Sequence, residues 1–407
     1  MYDTVNTARL KVNIFYENEY FGLFLQPVFK VGKDSSHPRK FFKDIVAGDY
    51  ERAYIKLSPG NFDLLIGRER VALGPSPYDN LLLSGKGIPL DIIMGSYESH
   101  FFKLSMLFSR LEDIYDKKVD FVGDTTTYKT NQFRYITIKR VDFSLKDLLE
   151  WAGLDFPRFV DAMSCSFSDV CVFGGKYVFP DFYYLNPLTL GYLHQWTRGD
   201  DSNTLWCLDG RIDFRGLSLY AQWLIDDYQY SEDPNAEPNH TGWNLGVQVA
   251  DPLGLERTFF GFEYTRVSRW TYTYFRPIGR YNYDGLPLGH PDGPGFDKIS
   301  FRTVYHLNRS WDIIGRFSYR RKGETDIGTL WPIPEMPKVP GTFFPDNNFL
   351  SGVIEKSTDL RLGVRFFNLP RLTTEVLVGY TFINNYHHIA NETKWFPSVR
   401  VGVGLIK

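Results

Sequence analysis

Hydrophobic and polar residues alternate one by one over much of this chain, and a period of two is the mark of a strand with one apolar face. From Asp359 to Phe366 the pattern is unbroken: Leu360, Leu362, Val364 and Phe366 share one face, Asp359, Arg361, Gly363 and Arg365 the other. Trp311, Ile313, Gly315, Phe317 and Tyr319 are set in the same way against Asp312, Arg316, Ser318 and Arg320, with Ile314 as the exception. Near the end of the chain Val399, Val401, Val403 and Leu405 oppose Ser398, Arg400, Gly402 and Gly404. Similar segments read at 8–16, 20–30, 50–58, 62–70, 90–97, 100–112, 132–145, 162–173, 204–214, 217–226, 241–250, 256–267, 299–308 and 371–384. Together they make about seventeen strands.

The connections alternate as well. Tight turns such as Ser58-Pro59-Gly60-Asn61, Arg215-Gly216, Asp251-Pro252-Leu253-Gly254 and Asn308-Arg309-Ser310 take turns with long stretches near 31–48, 70–89, 113–131, 227–240, 268–298 and 322–355. So many one-sided strands would need an oversized core in a two-layer sandwich, whereas a closed barrel in lipid satisfies both the faces and the edges. The expected fold is therefore all-β: a single closed antiparallel transmembrane β-barrel over 1–407, with short periplasmic turns and long extracellular loops. Antiparallel closure needs an even strand number. It is eighteen if another strand hides in 1–7 or 176–203, and sixteen if the first segment lies outside the wall. Short helices are expected at 145–151 and around 187–196, which makes 176–203 a candidate loop or lumen insert.

Composition sharpens this picture. Aromatic residues form 17% of the chain and 35 glycines accompany them, a mixture that suits strands and membrane-interface girdles better than helical packing. The mean hydropathy of -0.28 and the lack of a long apolar run exclude a transmembrane helix but not a barrel, whose strands hide their apolar face by alternation. A net charge of -2 argues against nucleic acid as a partner. Cys165, Cys171 and Cys207 are too few and too scattered for a disulfide framework or a zinc site. Cys165 and Cys171 share a strand face, and a bond to Cys207 is left open. No signal peptide precedes Tyr2, and export to the bacterial outer membrane requires one, so its removal is expected. The expected partners are outer-membrane lipid and the barrel-assembly machinery, although Lys407 stands where many assembly signals have an aromatic residue.

The polar face is rich in arginine. Arg134, Arg140, Arg211, Arg302, Arg316, Arg361, Arg365 and Arg400 are expected to point inward among acids such as Asp142, Asp209, Asp213, Asp312, Asp359 and Glu375. Guanidinium forks match carboxylate and sulfate groups, so this set suits acidic sugars or other anions, or else pairs across the lumen and fills it. In the long loops Trp270, Tyr272, Tyr274, Tyr281, Tyr283 and Trp331 are candidates for stacking on sugar faces, a role they share with interface anchoring. Catalytic signals are weak. Asp226 and Asp227 are adjacent, so on a regular strand they face opposite ways and cannot flank one bond without a bulge. His100, His306, His387 and His388 lack a nucleophile or further metal ligands at a useful spacing. No enzymatic activity, metal or cofactor is expected.

Four segments resemble the Wzi-type capsule-assembly family of outer-membrane proteins: Ile66-Gly67-Arg68-Glu69-Arg70-Val71-Ala72-Leu73-Gly74-Pro75 with Asn80 to Ser84; Tyr184-Leu185-Asn186-Pro187-Leu188; Leu224-Ile225-Asp226-Asp227-Tyr228; and Gly285 to His290, which ends in Gly289-His290. The resemblance implies an eighteen-stranded barrel that binds or helps assemble capsular or exopolysaccharide, lectin-like and without catalysis. Its motif residues are Gly67, Arg68, Gly74, Pro75, Asn186, Pro187, Asp226, Asp227, Gly289 and His290. The alternative from the residues alone is a porin-like diffusion channel for anionic solutes. The family's type member carries a periplasmic helical bundle, and no matching helical segment is evident before residue 60.

Overall fold

The computed structural model describes residues 8–31, 46–114, 132–180, 182–198, 202–228, 239–329, 349–368 and 372–405. They form an 18-stranded antiparallel sheet. Its first part comprises β1 (Ala8–Lys11), β2 (Ile14–Glu17), β3 (Phe21–Val31), β4 (Val46–Leu57), β5 (Phe62–Glu69), β6 (Leu90–Glu98), β7 (Phe102–Arg110), β8 (Gln132–Ser144) and β9 (Val160–Lys176). The second part comprises β10 (Asn203–Phe214), β11 (Leu217–Asp227), β12 (His240–Ala250), β13 (Thr258–Val267), β14 (Phe296–His306), β15 (Trp311–Lys322), β16 (Glu355–Asn368), β17 (Leu372–Asn384) and β18 (Thr393–Leu405). From β3 to β18 each strand pairs with the next in the chain. β1 and β2 both pair with β3, through Ala8↔Val31 and Ile14↔Leu25, so they are two halves of one interrupted strand.

Counted by position in the sheet, the strands match the alternating segments one for one. The first segment lies in the sheet, which removes the sixteen-strand reading. No extra strand occupies the described part of 176–203; that stretch instead holds α2 (Phe182–Leu185) and α3 (Gly191–Arg198). Residues 1–7 lie outside the described residues. The helix expected at 145–151 is α1 (Leu145–Trp151), begun by a Ser144 cap that accepts the Asp147 N–H. The position of β1 and β2 and that of β18 run the same way, and among the described residues no pairing joins them.

The two faces of the sheet have opposite environments. Leu360, Leu362, Val364, Val399, Val401 and Val403 point outward and are 41–71% exposed. Bare apolar rows of this length are stable in hydrocarbon and costly in water. Inward, much of the half nearer the long connections is apolar rather than polar. Ile92, Leu107, Ile136, Ile138, Val170, Val172, Leu205, Leu224 and Val267 form a buried core with Leu81, Leu82 and Leu83 of the 70–89 connection and Tyr272, Tyr281 and Leu288 of the 268–295 connection. Two long connections thus fold inward, and the main core lies between them and the sheet. Ile314, the exception to its strand's alternation, is also inward and 2% exposed.

Polar contacts of these connections run from Glu51 on β4, which binds Arg70, to Arg320 on β15, which binds Asp292. In a flat sheet those two strands would lie roughly 50 Å apart at the usual inter-strand spacing. The sheet is therefore wrapped around the connections. All three cysteines are free. The register puts Cys171 opposite Thr204 and Cys207 opposite Ser168, so Cys171 and Cys207 lie on opposite faces.

The outward face generates a prediction. Leu362→Arg, at mid-strand on that face, should destabilise the folded protein in lipid vesicles by about 2–4 kcal/mol. The shift of the denaturant midpoint measures it, and Ser318→Arg, on the inward face, should shift the midpoint far less.

Candidate functional site

The inward arginines divide by partner. Arg140 is held by Asp209 at 2.7 Å, by Asp142 at 2.8 Å and by Ser168 at 3.1 Å. Arg211 binds Asp213 at 2.9 Å, Arg361 binds Asp359 at 2.9 Å, and Arg365 binds Glu375 at 2.6 Å. Arg316 reaches Glu375 at a looser 3.5 Å. Arg302 stacks on the ring of Tyr78, with the guanidinium carbon 3.8 Å from the ring centre, and Arg400 is exposed. Arg134 serves the fold: only 1% exposed, it donates to the Ile278 carbonyl at 2.9 Å, to the Arg280 carbonyl and to Asn282, and pairs with Glu112. One buried cation thus fixes the 268–295 connection to β8 through the backbone carbonyls of Ile278 and Arg280.

The family-like glycines sit where the two inward connections meet. A Cβ on Gly289 would lie 2.5 Å from the Leu81 carbonyl oxygen and 2.5 Å from the Tyr272 ring. Gly74 has φ +138° and would bring a Cβ to 2.3 Å from Asn80 Oδ1. Tyr272 and Tyr281 are fully buried and stack at 5.6 Å, donating their hydroxyls at 2.7 Å to the carbonyls of Leu81 and Leu82. Tyr283 packs against the same core. These rings join one connection to the other, while Trp270 and Tyr274 form a smaller cluster with Phe275. Trp331 lies outside the described residues. Pro75 follows Gly74 into the turn that Asn80 closes by accepting the Ser76 N–H. Arg68, next to Gly67 on β5, pairs outward with Asp91 and Asp49.

A charged network completes this junction. Asp79 pairs with Lys86 and Lys298, and Asp292 with Lys298 at 3.4 Å and Arg320 at 2.6 Å; Arg320 continues to Glu355. His290 lies among these groups, fully buried, 3.6 Å from Asp292. Burial pushes the imidazole down to about 4, against the pull of Asp292 and Asp79, so it is neutral at pH 7. Burial would raise the Asp292 carboxyl, but Lys298 and Arg320 outweigh it and hold the group below the usual carboxylate range. Among the described residues no group of His, Cys, Asp and Glu could hold a metal ion.

At the rim of the long connections lies a cleft of about 270 Å³. Tyr192 of α3, Trp206 of β10, Tyr228 after β11 and Tyr274 of the 268–295 connection supply rings; Asp226, Asp227, Asn203, Gln195, Thr204 and Thr273 supply polar groups. The register of β11 against β12 slips between Ile225 and Asp227. This is the bulge that regular alternation lacks, and it lets both carboxylates line one cavity. Asp226 also accepts the Tyr272 N–H at 2.6 Å, which ties the cleft to the buried junction. Trp206 meets Tyr192 edge-on at 5.5 Å. Of the expected loop aromatics among the described residues, only Tyr274 lines the cleft. Trp206, Tyr192 and Tyr228 were missed, although Trp206 and Tyr228 stand near or beside a strand end next to a long connection; Tyr192 lies in α3. Asn186 turns the chain before α3 by accepting the Leu188 N–H, with Pro187 exposed beside it.

The junction is acid-sensitive. The folded imidazole of His290 binds its proton near pH 4 and a released one near 6.5, so release takes up a proton between those values and docking weakens as pH falls through that window. Asp292, depressed when docked, adds a further loss below about pH 3.8. Hydrogen-exchange protection factors of the Leu81–Leu83 amides should fall from pH 6.5 to 4, and His290→Gln should remove the dependence in that window only.

The profile of the capsule assembly protein Wzi family matches residues 4–394. No curated protein sequence matches the chain. Among solved structures the chain is similar to Escherichia coli Wzi, an outer membrane protein involved in group 1 capsule assembly and described as a carbohydrate-binding β-barrel. The TM-score is 0.62 at 14% identity, over 98% of this chain and 77% of that one. Pseudomonas aeruginosa OprD gives 0.48 at 11% identity over 98% and 90%, and Acinetobacter baumannii OccAB2 gives 0.47 at 12% over 98% and 92%. With a profile that runs through β1 to β17 and both inward connections, the chain belongs to the capsule assembly protein Wzi family.

Proposed function

We propose that this protein is a closed barrel of the bacterial outer membrane that binds a surface polysaccharide at its rim, in capsule or exopolysaccharide assembly and without catalysis. The observation that carries the reading is the rim cleft. It combines aromatic rings for the apolar face of a sugar with carboxylates and amides for its hydroxyls, in a volume that suits a small ligand group. Family membership and the carbohydrate-binding E. coli structure support the same reading. The outward apolar rows support placement in a bilayer, and closure between β18 and the first strand, which run the same way and would pair in parallel, belongs to the proposal.

In this reading the sugar held in the cleft is uncharged. Asp227 accepts hydroxyl hydrogens and repels a uronate, and no Lys or Arg is among the described residues that line the cleft. Acidic substituents of the same polymer would be matched by Arg302, Arg316 and Arg400 on the inner face. Arg302, however, lies against Tyr78 of an inward connection, so a glycan arriving at the rim meets the cleft first. The interlocked connections count against the alternative of an anion channel, because they occupy the interior that a solute would cross.

Two measurements test the proposal. Tyr228→Ala should weaken binding of the cognate polysaccharide roughly tenfold, about 1.4 kcal/mol, while Trp395→Ala on the outer face leaves it unchanged; unchanged affinity for Tyr228→Ala would remove the cleft from the site. The purified protein in planar bilayers should be electrically silent. A steady anion-selective current would favour the channel.

A further inference from the structure

We propose that residues 177–180 and 182–198 of the connection between β9 and β10 lie outside the sheet, within the outer leaflet except where Tyr192 and Gln195 of α3 line the rim cleft, and that their exposed apolar side chains bind the acyl chains of membrane lipid. This rests on the outer-membrane reading above but not on sugar binding.

The connection packs on the outward face. Tyr184 of α2 stacks on Phe173 with ring centres 3.8 Å apart and planes 3° from parallel, and a Cβ on Gly191 at the start of α3 would come within 3.0 Å of Cys171 Cβ. Phe173 and Cys171 face outward because their neighbours Val170 and Val172 belong to the inner core.

What the connection covers explains why it is there. Directly beneath it on the outward face stand Lys139 of β8 and Asp169 of β9, 5% and 2% exposed and 4.0 Å apart. Val141 and Phe143 follow Lys139 on the same face, and Phe143 lines an apolar groove of about 420 Å³ with Phe167, Leu208, Trp223 and Trp243. Lys139 and Asp169 thus stand directly above a lipid-facing band, where bare charges are costly. The connection satisfies them. Lys139 Nζ donates to the Thr189 carbonyl at 2.5 Å, and Asp169 accepts the Gly191 N–H at 2.8 Å and the Trp206 indole N–H at 3.1 Å.

Having covered the polar pair, the connection turns apolar groups away from the sheet. Tyr177, Phe179, Phe182, Leu188 and Leu193 are 77%, 64%, 91%, 82% and 54% exposed. In water this would be a large apolar patch. Continuous with the apolar outer face of β8 to β12, it extends the lipid-facing band over two charges that would otherwise interrupt it.

Nitroxide labels on Phe182→Cys and Leu188→Cys, in a Cys165→Ala background, test this in phosphatidylethanolamine–phosphatidylglycerol vesicles. Reference labels go on Leu362→Cys, on the bare outward face, and Leu253→Cys, in a tight turn. Collision with oxygen is compared with collision with a water-soluble nickel chelate. Labels at 182 and 188 should match 362, with an oxygen-to-nickel ratio several-fold above that at 253. If 182 and 188 match 253 while 362 stays oxygen-favoured, the connection lies in water or under a protein partner and the proposal is overturned. If 362 also matches 253, the membrane reading falls with it.

Discussion

A peptide group surrounded by hydrocarbon finds no water to bond, so its N–H and C=O must be satisfied by a neighbouring strand. That constraint accounts for the antiparallel pairing of each strand with the next from β3 to β18, and the pleat of the ladder sends alternate side chains to opposite faces. One face then meets whatever surrounds the protein, and the other meets whatever fills it. Each later feature answers one of those two requirements: the exposed rows of Leu and Val, the inward connections, and the segment strapped outside.

The filling depends on a few close contacts. Gly289 and Gly74 leave room for a carbonyl, a tyrosine ring and an amide that any side chain would displace. Tyr272 and Tyr281 close the resulting junction with hydroxyl-to-carbonyl bonds, and Arg134 anchors it to β8. The network around Asp79, Asp292 and Arg320 then fixes both connections to β14 and β15, with a neutral His290 at its centre. The rim cleft inherits this rigidity because Asp226 bonds to Tyr272 as well as lining the cavity. A cleft built on a buried junction is pre-organised, which would lower the entropic cost of holding the glycan proposed for it.

Two local inversions of polarity mark where the chain departs from a simple barrel pattern. Inside, Ile136, Ile138, Val170 and Val172 are apolar on the face expected to be polar, because folded connections rather than water lie against them. Outside, Lys139 and Asp169 are charged on the face expected to be apolar, because α2, α3 and the turn between them cover that patch. In each case an inverted stretch of sheet has its own segment of chain folded over it.

Strand positions, the alternation of tight and long connections, and the outward identity of rows such as Leu360 to Phe366 and Val399 to Val403 could be read from the sequence. They depend only on the two-residue period of the pleat, a local property of consecutive residues. α1 was legible as well, as a short helical run at 145–151. Tertiary structure decided the rest. Tyr272 and Tyr281 read as surface rings until Gly289 and Leu81, eight or more residues away in one case and nearly two hundred in the other, were brought against them. Asp226 and Asp227 read as opposed until a register slip in β11 turned both into one cavity. The side of the sheet on which α2 and α3 lie was equally hidden, since the residues that hold them, Lys139, Asp169 and Phe173, belong to strands whose own pattern says nothing about what will cover them.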